Sequence, residues 1–132
     1  MATTDAPTKD HFALLDGHQY MSLKTFRKSG KEVPTPVWFA REGDALYVVT
    51  QATSGKVKRI RANGRAAVAP SDVRGGLLGA DYVDAQARIL PEGTETKAAN
   101  DRLRKKYGLI YRLFMLAGRV RGETAYLEIT PA

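Results

Sequence analysis

The strongest structural signal in this sequence is the segment T-Q-A-T-S-G-K-V-K-R-I-R-A-N-G-R, residues 50–65. It follows an apolar run, residues 46–49, that has the character of a β-strand. In the Thr/Ser/Gly turn, Ser54 or Thr53 can accept hydrogen bonds from the free N–H groups of a helix start, and Asn63-Gly64 is typical of a helix end. The segment therefore predicts a strand, a capped turn and a short helix that stops at residue 63.

This predicted helix carries four cationic side chains, Lys56, Lys58, Arg59 and Arg61. At about 100° per residue, Lys56, Arg59 and Asn63 share one face, whereas Lys58 and Arg61 point elsewhere. Positive charge in the first turn opposes the helix dipole, and a local rule broken in this way is expected at functional sites. Free N–H groups, dipole and cationic side chains attract an anion to one place, so we predict a phosphate site here. The alternative is an ordinary solvated surface helix.

The composition predicts a single globular domain, residues 1–132, with residues 1–8 as a flexible start. The 21 basic and 14 acidic residues give a net charge of +7, which favours nucleic acid, an acidic membrane surface or a polyanionic cofactor as partner. The absence of cysteine excludes disulfides, thiol catalysis and thiolate metal sites. Without a bilayer-spanning apolar run or a signal peptide, the expected location is cytoplasmic.

Alternating and apolar stretches separated by short turns predict a small antiparallel barrel, mainly β in an α+β chain. The six expected strands are residues 18–26, 32–41, 45–50, 66–70, 80–90 and 123–130. Pro34 and Pro36 cannot donate to a strand ladder, so that part of the second strand must lie at an edge or a bulge.

Two further helices are expected besides a short amphipathic one over residues 9–16. The longer one begins near a cap at Thr94 and runs to residue 107, where Gly108 interrupts it. Residues 109–117 are apolar on nearly every side except at Arg112, which predicts burial in the chain or at a subunit interface.

Few residues offer catalytic chemistry of their own. His11 and His18 are the only histidines, and exposed or capping roles suit both positions better than catalysis. Protease, esterase and P-loop motifs are absent, and Asp81 and Asp84 would face opposite sides of a strand. We therefore expect no catalytic side chain, and any reaction would depend on a bound cofactor.

A planar ring could lie along the two strands that flank the phosphate site. Prolines in residues 33–39 free neighbouring carbonyl groups from regular pairing, and Thr50 ends the strand that runs back beside them. Trp38 either covers a ring face or fills the core, and core filling is the commoner role of a strand tryptophan. The phosphate of such a ligand would meet Ser54, Lys56 and Arg59.

These segments together resemble the pyridoxamine 5'-phosphate oxidase-like split β-barrel superfamily, a fold shared with the FMN-binding proteins. The residues that carry the resemblance are T-F-R-K-S-G-K-E-V-P-T-P-V-W-F (25–39), L-Y-V-V-T (46–50), S-G-K-V-K-R-I-R-A-N-G-R (54–65) and A-V-A-P-S-D (67–72). The closest similarity is to the B-type branch of flavin/deazaflavin oxidoreductases, which binds coenzyme F420. Relatives often have Asn-Pro-Arg where this chain has Asn63-Gly64-Arg65.

The resemblance implies a six-stranded split barrel that forms a homodimer, with the cofactor between the subunits and no metal. Lys56 matches the lysine that contacts the cofactor phosphate. The neighbouring cofactor-binding positions implied by the resemblance are Thr35, Pro36, Val37, Thr50, Ser54, Gly55 and Arg59. Nothing in these motifs identifies the substrate.

The leading hypothesis is therefore a coenzyme F420-dependent oxidoreductase that transfers a hydride from reduced deazaflavin to a small organic acceptor. One alternative is an FMN-binding oxidoreductase of the same fold, and another is a non-catalytic F420-binding or carrier protein. Nucleic-acid binding is disfavoured because the cations cluster on one helix without a row of exposed aromatic residues.

Overall fold

The structure is a computed structural model that describes residues 10–116 and 124–132. The expected flexible start, residues 1–8, lies outside the described residues. Within them the chain forms a 3-10 turn at Ala13–Leu15, seven strands and three α-helices. The strands are β1 (Tyr20–Phe26), β2 (Glu32–Trp38), β3 (Ala40–Glu42), β4 (Ala45–Gln51), β5 (Arg65–Ser71), β6 (Val83–Ile89) and β7 (Thr124–Pro131). The helices are α1 (Gly55–Asn63), α2 (Thr94–Tyr107) and α3 (Leu109–Leu116).

All strands belong to one antiparallel sheet in the order β2-β1-β5-β6-β7-β4-β3. The first and last strands of this order are consecutive in the chain and are separated only by Phe39. One residue can connect two sheet edges only if those edges lie side by side, so the sheet must curl round on itself. The architecture is therefore the predicted split barrel of mainly β character with short helices.

The expectation of six strands was wrong, because the predicted strand over residues 32–41 is divided at Phe39. The Phe39 N–H donates to the Tyr107 hydroxyl at 3.0 Å, and the same hydroxyl lies 2.8 Å from the Phe39 carbonyl oxygen. The Phe39 carbonyl oxygen also accepts from Lys106 Nζ at 2.8 Å, and the Tyr107 hydroxyl has a second acceptor in the Gln19 carbonyl oxygen at 2.6 Å. Both backbone groups of Phe39 are thus bonded to side chains. The break leaves β2 paired with β1 and β3 paired with β4.

Pro34 and Pro36 lie in an edge strand, where their missing N–H groups leave fewer ladder hydrogen bonds unmade than in a central strand. β2 is an edge strand that pairs with β1 only, and Pro34 and Pro36 are exposed opposite Lys24 and Ser22. The edge position predicted for this strand is confirmed.

The core fills the inside of the curled sheet. Alternate residues of the central strands point inward and are fully buried, among them Met21, Leu23, Leu46, Val48, Leu127 and Ile129. Helix α1 packs on β1 and β6 and contributes the buried side chains of Val57 and Ile60. Burial of each such side chain stabilises the fold by about 1.5–3 kcal/mol, which holds α1 firmly to the barrel.

The helical expectations are confirmed in part. The amphipathic segment near the N-terminus forms only the 3-10 turn, which suffices to bury both Phe12 and Leu15. Helix α2 begins at Thr94, so this residue is not its cap; the Thr96 hydroxyl instead accepts the Gly93 N–H at 3.1 Å. Gly108 ends α2 with a positive φ of 57°, as expected.

Helix α3 is less buried within the chain than its sequence suggested. Tyr111 is buried, but the exposed fractions of Leu109, Ile110 and Leu113 are 66%, 58% and 57%. Among the described residues, none of the helices combines the length and apolar character needed to cross a bilayer.

We predict that Tyr107→Phe lowers the free energy of unfolding by about 1–3 kcal/mol, because the buried Phe39 N–H loses its acceptor. Urea unfolding followed by circular dichroism measures the change. Lys105→Ala, an exposed position on the same helix, serves as control and should change stability by less than about 0.5 kcal/mol. Equal stability of Tyr107→Phe and the wild-type protein would contradict the role given to this hydroxyl.

Candidate anion-binding site

Helix α1 starts and ends as its sequence predicts. Ser54 is the cap: its carbonyl oxygen accepts the Lys58 N–H at 3.3 Å, and its hydroxyl accepts the Val57 N–H at a long 3.5 Å. At the other end, Gly64 has a φ of 70° and donates its N–H to the Ile60 carbonyl oxygen at 2.9 Å. The N–H groups of the first two helical residues remain directed out of the helix end, where they can meet an anion.

The cations of α1 divide into the two groups that helical spacing predicts. Lys56 and Arg59 are half-buried against the barrel, whereas Lys58 and Arg61 are exposed. Lys56 and Arg59 therefore form the basic face of the site, and Lys58 is available as a control position on the same helix.

Arg59 is held in a bent-back position across the first turn of α1. Its Nε donates to the Thr25 hydroxyl at 2.6 Å. A Cβ atom added to Gly55 would lie 2.7 Å from Arg59 Nη1, so the guanidinium lies directly over the start of the helix. A larger residue at position 55 would push this group aside, which gives Gly55 a specific steric role.

The positive charge of this face is not compensated within the chain. No ion pair formed by residues 10–116 and 124–132 involves Lys56 or Arg59. Burial and the charge of Arg59 lower the pKa of Lys56, and burial and the charge of Arg27 lower the pKa of Arg59. In contrast, hydrogen bonds to Glu42 raise the pKa of Arg102. An anion at α1 would relieve unfavourable charge in the way that the Glu42 carboxylate does at Arg102.

Hydrogen bonds join this face to both strands expected to hold a ring. At the end of β4, the buried Thr50 hydroxyl donates to the Ser54 hydroxyl at 3.4 Å. On the other side, the Thr25 hydroxyl is 3.5 Å from the Val33 carbonyl oxygen of β2. The structure thus brings the end of β4, the start of α1 and the edge strand together, as the sequence interpretation required.

Three of the predicted ring contacts lie in β2, and they do not share one face. Thr35 pairs with Leu23, and its buried hydroxyl oxygen has no hydrogen-bond partner within the described part of the chain. An unsatisfied buried hydroxyl is uncommon and suits a site completed by a ligand or water. Val37 is buried in the core, whereas Pro36 is exposed on the opposite face, near Gly75.

Trp38 fills space between secondary-structure elements. Its ring stacks on Tyr107 with 4.5 Å between centroids and 9° between planes. It packs in a second apolar cluster that includes Leu103 and Tyr111 under α2 and α3. The commoner of the two roles considered from the sequence, core filling, is the one observed.

Thr25 was missed as a site residue. It is 1% exposed, and it occupies an inward position in the alternation that buries Met21 and Leu23. The sequence did contain a signal for it: Thr25 is a polar residue at an inward strand position, and such positions usually carry apolar side chains. Its partner Arg59 is 34 residues away, so local patterns could not identify the contact.

Apart from the α1 site, a cleft of about 490 Å³ lies between the 3-10 turn, β3 and α2. Its arginines are paired with carboxylates: Arg41 with Asp10 and Asp16, and Arg102 with Glu42. The Lys106 amine, whose pKa burial lowers to about 8, donates to the backbone carbonyls of residues 18 and 39. This cleft therefore holds a structural network, and α1 remains the candidate binding site.

Comparison with known proteins gives the family. A family model described as pyridoxamine 5'-phosphate oxidase matches residues 7–132. The chain belongs to the pyridoxamine 5'-phosphate oxidase family. This confirms the family part of the resemblance, whereas the F420-binding branch stays a prediction. No curated protein matches the chain in sequence.

Solved structures share the fold at low sequence identity. An F420 reductase is 19% identical, with 96% of each chain covered and a TM-score of 0.60. An FAD-binding protein from Mesorhizobium loti is 18% identical, with 89% of this chain and 82% of that chain covered and a TM-score of 0.66. HutZ, a heme storage protein from Vibrio cholerae, is 12% identical over 90% and 85% of the chains, with a TM-score of 0.68. These likenesses show the fold alone.

We predict that phosphate binding weakens as pH rises through the lowered pKa of Lys56. Above that pKa, which lies below the usual 10.5, the free protein must take up a proton before the ammonium can pair with the anion. Fluorescence titration with flavin mononucleotide from about pH 7 to about pH 10 measures the effect. Lys56→Arg stays charged over this range and should give a flatter profile. An identical pH dependence for both proteins would contradict the assignment.

Proposed function

We propose that this protein is a coenzyme F420-dependent oxidoreductase that transfers a hydride between the reduced deazaflavin and a small organic acceptor. The observation that carries the proposal is the uncompensated basic face of α1, tied by hydrogen bonds to β4 and β2. The family membership and the fold shared with an F420 reductase support it. The net charge of +7 also suits a cofactor with a phosphodiester and a polyglutamate tail.

The residues of the basic face suit a phosphate in charge and geometry. Lys56 supplies an ammonium, and the bent-back Arg59 can donate from its terminal nitrogens beside the N–H groups of the helix start. The buried hydroxyl oxygen of Thr35 lacks a partner in the described residues and is available to a ring lying along β2. In this proposal Ser54 and Thr50 maintain the helix start, while Pro36 and Val37 shape the strand on which the ring lies.

The bound deazaflavin would supply the hydride from its ring, so the chain needs no nucleophile of its own. The protein's own contribution is to bind the phosphate, orient the ring and keep water from the ring's inner side. The buried position of Thr50 gives the barrel end a low-exposure surface for this purpose. A cytoplasmic location accompanies the proposal and stays a prediction.

We predict that Lys56→Ala weakens cofactor binding by about 1.5–3 kcal/mol, the range for a hydrogen bond to a charged group. Titration of the purified protein with F420, followed by fluorescence, measures this change. A parallel titration with flavin mononucleotide separates the deazaflavin from the flavin, because both carry a phosphate that α1 can bind.

Lys58→Ala is the matched control, since it removes the same charge from the exposed face of the same helix. It should weaken binding much less than Lys56→Ala. Equal losses would indicate a diffuse charge effect. If the wild-type protein prefers flavin mononucleotide, that flavin replaces F420 as the cofactor in the proposal. If the protein binds F420 but no acceptor oxidises the reduced form, the protein is a carrier.

We also propose that the protein is a homodimer in which α3 contributes to the subunit interface. Leu109, Ile110 and Leu113 are each more than half exposed on this helix, an arrangement typical of a surface that is covered in an assembly. Light scattering after gel filtration should give the mass of a dimer for the wild-type protein and a shift toward the monomer for Leu113→Glu.

Val73→Glu is the control for this experiment. Val73 is 60% exposed but lies between β5 and β6, away from α3 in the sequence. Its substitution should leave the mass unchanged. A monomeric wild-type protein would contradict the dimer, and a dimer unaffected by Leu113→Glu would place the interface elsewhere.

A further inference from the structure

A buried threonine on β1 holds the arginine of the candidate phosphate site. Thr25 is 1% exposed, and its hydroxyl oxygen accepts the Arg59 Nε–H at 2.6 Å. Within residues 10–116 and 124–132, the only other partner of this hydroxyl is the Val33 carbonyl oxygen, at the long distance of 3.5 Å. The short contact to Arg59 is therefore the main polar interaction that compensates for burying the hydroxyl.

The geometry of this contact leaves the rest of the guanidinium available. Arg59 uses Nε for Thr25, and Nη1 lies over Gly55 at the start of α1. An arginine side chain loses rotamer freedom when it is fixed, so a partner that fixes it before binding lowers the cost of binding an anion. Both terminal nitrogens can then bind an anion in a forked arrangement.

The contact is not needed to attach α1 to the barrel. Val57 and Ile60 are buried beneath the helix, and the Asn63 side-chain amide donates to the Phe26 carbonyl oxygen at 3.1 Å. Loss of the Thr25 hydroxyl would therefore release Arg59 without undocking α1.

We propose that Thr25 is a positioning residue for the phosphate site, which holds Arg59 across the start of α1 so that its terminal nitrogens face the anion. This inference rests on the proposed function, in that the anion is the phosphate of a bound cofactor. Thr25 itself does not touch the ligand in this arrangement.

The test is a double-mutant cycle with a conservative rescue. Affinity for F420 and for flavin mononucleotide is measured by fluorescence for Thr25→Val, Thr25→Ser, Arg59→Ala and the double variant Thr25→Val/Arg59→Ala. Thr25→Val keeps the shape and should weaken binding about tenfold, whereas Thr25→Ser keeps the hydroxyl and should stay within about threefold of the wild-type protein. In the Arg59→Ala background, Thr25→Val should change affinity by less than about twofold.

A second readout reports on Arg59 directly. In the protein without ligand, the Nε–H resonance of Arg59 should be protected from exchange with water in the wild-type protein and in Thr25→Ser. In Thr25→Val the same proton should exchange faster, because it has lost its buried acceptor. A merely structural effect of Thr25 on barrel stability would not distinguish these variants in this way.

Each adverse result has a separate meaning. Equal losses from Thr25→Val with and without Arg59 would overturn the positioning role, as would failure of Thr25→Ser to restore binding. Weakened binding in Arg59→Ala with wild-type affinity in Thr25→Val would overturn this inference alone and leave the proposed function intact. Failure of the wild-type protein to bind either probe would overturn both.

Discussion

The architecture depends on the contact between the Tyr107 hydroxyl and the backbone of Phe39. The hydroxyl accepts the Phe39 N–H, and its single proton lies between the carbonyl oxygens of Gln19 and Phe39, at 2.6 and 2.8 Å. Together with Lys106, which also donates to the Phe39 carbonyl oxygen, it binds Phe39 outside the strand ladder. The chain can then pass from β2 at one edge of the sheet to β3 at the other through one residue, Phe39. Because the two edges must be neighbours for that step, a helix on the outside of the sheet sets the closure of the barrel.

Closure of the barrel in turn assembles the candidate site. Once the edges meet, β2 lies close to the end of β4, and α1 follows β4 directly. Hydroxyl groups of Thr25, Thr50 and Ser54 then connect three elements around the helix start. The site is thus a product of the sheet order, although most of its polar groups come from one short segment.

The basic face of α1 differs in its electrostatics from the arginines that are paired with carboxylates elsewhere in the described residues. Arg41, Arg88 and Arg102 each contact carboxylates that raise their pKa values. Lys56 and Arg59 lack such partners among the described residues, and burial disfavours their charged forms. Such unfavourable charge persists in a folded protein when the rest of the structure overdetermines it, and binding of an anion relieves it. This feature favours the proposed anion site over a solvated basic helix.

The sequence alone determined the features that depend on near neighbours in the chain. These are a helix cap at Thr53 or Ser54, the glycine stops, the edge position of the proline strand and the separation of Lys56 and Arg59 from Lys58. Each follows from backbone geometry over a few residues. Only the tertiary structure decided the break at Phe39, the support of Arg59 by Thr25 and the exposure of α3. Their partners are distant in sequence, 68 residues for Phe39 and 34 for Arg59, so no local pattern encodes them.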